Sequence, residues 1–295
     1  MKILNITLSF LLIILLTSCE KTVEFDIENA EPKLVVEATI ENDSWPVVFL
    51  SNSINYFSIF DPNNIQNSFV HNAVITFSNG TKTHTLKEYT VPLAGGYSLS
   101  YYSVDSSNLA TAFKGELQKQ YSLRIFVNAK EYLATTTIPK ITRQIDSLWA
   151  RKIPGFSDST KRALMIKATD PAGFGDYIRY FTKRNHEPFY PGLNSVFDDQ
   201  VIDGSTYSVE IERGVDRNVP RDDQYSFFNR TDTVTFKLSN IDKTTYDFWR
   251  TMEFTYATVG NPFSSPTKVL GNISHGALGY FGGYASQYRT IIIRD

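Results

Sequence analysis

The chain has 295 residues, 42% hydrophobic and 14% aromatic, with 29 basic against 31 acidic side chains and a net charge of −2. That composition is enough to bury the cores of about two ordinary domains, and with no basic run or basic face it argues against nucleic acid as a partner. The single cysteine, Cys19, excludes disulfides and cysteine-built metal sites.

Lys2 gives a short positive start, Ile3 to Leu16 form an almost uninterrupted apolar run, and Leu16-Thr17-Ser18-Cys19 closes it with small residues. That order is a signal peptide over residues 1–18. As a helix the run would be about 21 Å long, against about 30 Å for the hydrocarbon core of a bilayer, so a retained membrane span is the weaker reading. The closing tetrapeptide resembles the bacterial lipobox, which implies cleavage before Cys19 and lipidation of that residue. A diacylglycerol thioether with a third acyl chain, commonly palmitate, would hold the protein firmly on a membrane, because one chain alone anchors only marginally.

Residues 19–32 read as a solvated tether, since Glu20 to Glu31 carry five acids against one lysine. From Lys33 on, short β-rich runs recur at Leu34 to Ile40, Val47 to Ser51, Ala73 to Phe77, Lys82 to Lys87, Tyr97 to Tyr101, Tyr121 to Val127 and Tyr132 to Ile138. Several alternate at period two, as in Tyr121, Leu123, Ile125 and Val127 against Ser122 and Arg124, which buries one face and wets the other. Seven such runs, with turns at Asn79-Gly80 and Gly95-Gly96, predict an immunoglobulin-like β-sandwich over residues 33–139.

Pro139 ends that series. A second one follows at Ile145 to Ala150, Ala163 to Thr169, Tyr177 to Arg184, Tyr207 to Glu212, Val234 to Leu238 and Thr290 to Ile293. One helix is predicted over 242–257, with Asp242 as N-cap and Tyr246, Trp249, Met252 and Tyr256 as a core-facing stripe. The expected fold is thus mostly β: an immunoglobulin-like sandwich followed by a β-rich domain, residues 140–295, with one helix.

The stretch Asn272-Ile273-Ser274-His275-Gly276-Ala277-Leu278-Gly279-Tyr280-Phe281-Gly282-Gly283-Tyr284 resembles the signature of a Bacteroidota lipoprotein family catalogued as domain of unknown function 4249. Leu34 to Ala38, Asn72 to Thr76, Gly95-Gly96-Tyr97 and Ile145 to Leu148 agree with it. The resemblance implies an outer-membrane lipoprotein, often encoded beside a TonB-dependent transporter, with no assigned activity and no catalytic residues. Glu20, Glu24, Asp26 and Glu28 loosely resemble the acidic residues that follow the cysteine in surface-exposed lipoproteins, which leaves the membrane face open.

No catalytic constellation emerges. His71, His84, His186 and His275 include no pair four residues apart on a helix, and Pro188 interrupts what starts as a zincin motif at His186-Glu187. Two residues, Asn272 and Ile273, separate Gly271 from Ser274 where a nucleophile elbow needs one. Gly173-Phe174-Gly175-Asp176 reads as a turn rather than a dinucleotide loop. Asp198, Asp199 and Asp203 offer a weak calcium site, with a solvated hairpin as the plainer reading. No cofactor is expected.

Dispersed carboxylates leave a hydrolase as the minor alternative. The better signal is aromatic residues in loops: Tyr56, Phe57 and Phe60 in one, Phe189 and Tyr190 in another, and Tyr280, Phe281 and Tyr284 in the glycine-rich end. Exposed aromatics on a rigid β scaffold suit a protein partner, a peptide or a glycan. The expected function is binding, as an accessory of a TonB-dependent transporter or another envelope complex.

Overall fold

A computed structural model describes residues 31–294 except 55–60, 94, 157, 262 and 266. The signal peptide, Cys19 and nearly all of the tether lie outside the described residues, as do Tyr56, Phe57 and Phe60. Pro32–Asp295 forms one compact unit. No helix among the described residues is long and apolar enough to cross a membrane.

The chain is mostly β. Its first half contains β1 (Leu34–Glu41), β2 (Val47–Asn52), a short helix α1 (Pro62–Ser68), β3 (Val74–Ser78), β4 (Thr83–Pro92), β5 (Ser98–Val104), β6 (Lys119–Val127) and β7 (Lys130–Ile138). The second half contains β8 (Gln144–Lys152), β9 (Lys161–Thr169), β10 (Tyr177–Arg184), β11 (Tyr190–Phe197), β12 (Thr206–Ile211), β13 (Phe228–Asn229), β14 (Thr233–Ile241), α2 (Lys243–Thr258) and β15 (Leu278–Ile292). Alternation does what the sequence predicts: Leu34, Val36, Ala38 and Ile40 of β1 and Tyr121, Leu123, Ile125 and Val127 of β6 are all buried, in one shared core.

Eleven strands follow one hydrogen-bonded path, β11-β10-β14-β15-β1-β2-β5-β4-β3-β6-β7, and β8, β9, β12 and β13 form a second sheet around β9. The long strand β15 splices the first path together. Its residues Leu278 to Tyr284 pair in parallel with Val35 to Glu41, and Tyr284 to Ile292 pair antiparallel with Ile241 to Thr233. It therefore joins strands from both sides of the boundary expected near residue 139.

One face of β15 also packs on β7, so closely that a Cβ at Gly283 would lie 2.4 Å from the Thr137 carbonyl oxygen. Only glycine admits that approach. Phe281 and Ala285 enter the first core, beside Phe77 and Ile138, while Tyr280 and Tyr284 enter a smaller one under α2 with Tyr246 and Phe248. A third core lies between the second sheet and the β10–β14 end of the first, around Leu164, Ile166, Tyr180, Phe236 and Leu238.

Open sheet edges invite pairing with other chains, and both ends of the long path are covered. At β7, Ser274 exchanges hydrogen bonds with Leu133 (2.9 and 2.7 Å) and the Asn272 amide donates to the Thr135 carbonyl at 3.1 Å. Asp242 finishes that edge: one carboxylate oxygen accepts from the Thr136 hydroxyl and the Thr137 amide, at 2.8 and 3.1 Å. Its other oxygen accepts from the Thr245 amide at 2.8 Å, making Asp242 the N-cap of α2 as predicted. At β11, Glu253 accepts from the Ser195 amide at 2.9 Å, and Arg217 donates to the Leu193 carbonyl at 3.1 Å.

Three of the four residues of the predicted α2 stripe pack on the core and the fourth does not. Tyr246 is buried, and Trp249 and Met252 pack on the core, but Tyr256 is 53% exposed while Phe248 and Glu253 are buried. Glu253 is drawn inward, where it bonds both the amide and the hydroxyl of Ser195.

Asp242→Ala removes the helix cap and orphans the Thr137 amide of β7, so it is expected to cost about 2–4 kcal/mol in urea unfolding, and Asp242→Asn less. Gly283→Val forces β7 and β15 apart, and an expected loss of at least about 1–3 kcal/mol should appear as a lower unfolding midpoint.

Candidate functional site

The third core is not filled at its open edge. Between the edge strands β11 and β12 lies a cavity of about 580 Å³ whose walls include Ile166, Ile178, Tyr180, Ile211, Phe236 and Leu238. That volume and its mostly apolar lining are those of a small-molecule site. Phe197, Val201 and Val209 stand at its mouth, Val201 being 94% exposed.

One wall carries Arg143, with no exposed surface. Its Nε and Nη2 lie 2.8 and 2.7 Å from the same oxygen of Asp170. Arg143 Nη1 and the second Asp170 oxygen are buried without a hydrogen-bond partner. The Tyr207 ring, also on the wall, is 6.0 Å from the guanidinium, and burial pushes the Tyr207 hydroxyl upward against the opposing pull of Arg143. At the mouth Arg250 donates to the Tyr246 hydroxyl, which donates to Asp198, both at 2.9 Å, and Glu210 pairs with Arg151 at 2.9 Å.

Behind Arg143, carboxylate oxygens of Asp170, Asp199 and Asp203 lie within 4.8 Å of one another, the only such grouping of His, Cys, Asp and Glu among the described residues. This corrects the predicted calcium trio. Asp198 faces Tyr246 instead, and Asp170, far away in sequence, takes its place. Asp199 accepts from the Gly175 and Asp176 amides at 2.8 and 2.9 Å, and Asp203 from the Gly173 amide at 2.6 Å. Gly175, at φ 114°, supplies a backbone turn that other residues resist. The carboxylates are oxygen donors of the type calcium uses. With Arg143 and three amides already on them, they act here as a brace that holds the 198–204 loop, and with it Val201 and Ile202, over the cavity.

The aromatic expectation needs correction at the C-terminal end. Tyr280, Phe281 and Tyr284 are 3%, 0% and 4% exposed, because β15 is an interior strand rather than a glycine-rich loop. The Tyr284 hydroxyl accepts from Trp249 Nε1 at 3.0 Å and Arg179 Nη1 at 3.3 Å, and lies 3.1 Å from the Tyr280 hydroxyl. Arg179 stacks 3.4 Å over the Trp249 ring and donates to Ser195 at 3.1 Å. These residues are packing and polar cross-links inside the fold.

Phe189 and Tyr190 are half-buried. Phe189 packs on Tyr288 with 5.8 Å between ring centres, and Tyr190 opens β11 with its hydroxyl 3.4 Å from Asp216. The structure does not bring them to the cavity. The more exposed aromatics are Phe174, Phe254, Tyr256 and Phe263, none of them singled out by the sequence as a contact. The histidines are equally dispersed: His71 pairs with Glu88 at 2.5 Å, while His84 is buried against Thr111 at 2.9 Å and pushed down by that burial.

Arg143→Ala leaves Asp170 charged and unpaired in the interior, so a loss of about 3–5 kcal/mol is expected in denaturant unfolding. The double change Arg143→Met with Asp170→Leu should lose markedly less. Asp176 yields a pH test. Burial, reinforced by Asp170 and Asp199, holds its carboxyl above the usual value of 3.8. The folded state thus binds its proton more readily than the unfolded state does. The resulting penalty is absent below pH 3.8 and grows as pH rises through the folded value. Asp176→Asn should therefore raise the unfolding midpoint at neutral pH and leave it unchanged at pH 3.

Among known families, the one described as Domain of unknown function (DUF4249) matches residues 20–290. No curated protein matches the chain.

Proposed function

The chain belongs to the DUF4249 family, and from that premise we propose that it is a lipid-anchored protein of the outer membrane that works by binding, as an accessory of a TonB-dependent transporter or another envelope complex. The observation that carries the binding reading is the cavity between β11 and β12: about 580 Å³, with a mostly apolar surface. Among its acids, Asp198 and Glu210 already have hydrogen-bonding or ionic partners, and Glu210 and Glu212 are exposed. That suits holding a ligand better than cleaving one. The apolar run before Cys19 and the acidic residues after it support the anchor and the tether.

The test is recovery of the lipidated protein from outer membranes in mild detergent, with mass spectrometry of what comes with it. A transporter barrel in near-equal amount is the expected result, and recovery of the lipoprotein alone would remove the accessory role. In parallel, Cys19→Ala should abolish labelling by radioactive palmitate; retained label would sink the anchor assignment.

A further inference from the structure

Resting on the reading of the cavity as a binding site, its chemistry narrows the ligand. The walls, Ile166, Ile178, Ile211, Phe236 and Leu238 among them, reward an apolar body. The polar groups decide the rest. Arg143 is fully buried on the wall, and its Nη1 has no hydrogen-bond partner. A buried donor left unmade costs on the order of 1–3 kcal/mol, which an acceptor in the cavity would relieve.

Charge selects the kind of acceptor. Asp170 already cancels Arg143, and Asp199 and Asp203 stand behind that pair, so the floor of the cavity leans negative. The mouth repeats the bias more weakly, with Asp198, Glu210 and Glu212 against Arg250 and the Arg151 that pairs with Glu210. An anionic head group would meet excess negative charge, and a cationic one would meet Arg143 with no acceptor to offer.

We infer that the cavity takes a neutral, mostly apolar molecule that presents a carbonyl-type oxygen to Arg143 Nη1, such as an acyl amide or ester. Tyr207, on the same wall, adds a hydroxyl donor beside the guanidinium. The Asp170–Arg143 pair then fixes the donor's direction, and the apolar walls set the ligand's orientation, tail toward the unfilled core and oxygen toward Arg143.

The test uses the full lipidated chain in phospholipid vesicles and three photoreactive probes with the same diazirine-bearing alkyl tail, ending in a primary amide, a sulfonate or a trimethylammonium group. Cross-links are mapped by mass spectrometry. The amide should label peptides containing Ile178 and Phe236 about tenfold more than either charged probe, the worth of one hydrogen bond to a charged donor. Arg143→Lys keeps the charge facing Asp170 but removes Nη1, and should erase that preference. Ile211→Trp fills the cavity and should abolish labelling there by every probe while surface labelling persists.

Equal labelling by the three probes, or an amide preference untouched by Arg143→Lys, overturns the ligand class but leaves the cavity as a binding site. Absence of cavity labelling by all three in the unmodified protein overturns the binding reading itself. Should Arg143→Lys fail to fold, the comparison of head groups on the unmodified chain still decides the class.

Discussion

The architecture depends on β15 being shared. One continuous strand pairs with β1 over its first half and with β14 over its second, and it presses Gly283 against β7. Each of these contacts restricts the others: the parallel register with β1 sets which residues face α2, and the close approach to β7 forbids a side chain on that face. Because side chains alternate along a strand, a slip of one residue would exchange the Phe281 face with the Tyr280 face and misplace two cores at once. Joining the N-terminal and C-terminal strands therefore rests on a register held by hydrogen bonds and by the missing Cβ atoms of Gly279, against Val36 of β1, and Gly283, against Thr137 of β7.

A sheet path of eleven strands has two ends, and both are closed by side chains and single loop amides rather than by further strands. Asp242 links two of these tasks. The carboxylate that starts α2 also satisfies the Thr137 amide, so helix position and sheet edge are coupled through one residue. Glu253 does the same at the other end, carrying the C-terminal part of α2 to β11 through Ser195. The helix thus clamps across two edges, with Glu253 buried at its C-terminal end while Tyr256, the last residue of the apolar stripe, is exposed.

This bears on what could be read in advance. The strands whose side chains alternate, β1 and β6 above all, were legible because period-two burial depends only on local order, and the Asp242 cap was legible because a cap is a local motif. β15 was hidden: Gly279, Gly282 and Gly283 look like a turn, and only their close neighbours in the fold, Val36 of β1 for Gly279, Thr245 of α2 for Gly282 and Thr137 of β7 for Gly283, explain them as strand residues. With that strand read as loop, Tyr280, Phe281 and Tyr284 looked like surface aromatics. β11 was hidden in the same way, by Pro191 and Gly192. The Asp170 partner of Asp199 and Asp203 is some thirty residues away in sequence, and no spacing rule would select it. The motif Asn272 to Ser274 carried family resemblance without revealing its work, which is to cover β7.

The cavity follows from the same economy of edges. Glu253, Arg217 and Val215 occupy the outer side of β11, so it does not fold down to meet β12, which is itself the edge of the smaller sheet. With the outer side of β11 occupied and β12 ending its own sheet, the two sheets do not close on one another and the space between them stays unfilled. The carboxylate brace then sets how open that space is, since Asp199 and Asp203 hold the loop carrying Val201 and Ile202. Arg143, itself part of the cavity lining, stands at the junction, paired to the brace through Asp170 and with its Nη1 unpartnered. A fold built only for stability would place an apolar side chain there, because a buried ion pair is weak evidence for stability and an unmade donor is a cost. Keeping a guanidinium at that position is the feature on which the proposal of a binding site, rather than a packing defect, rests.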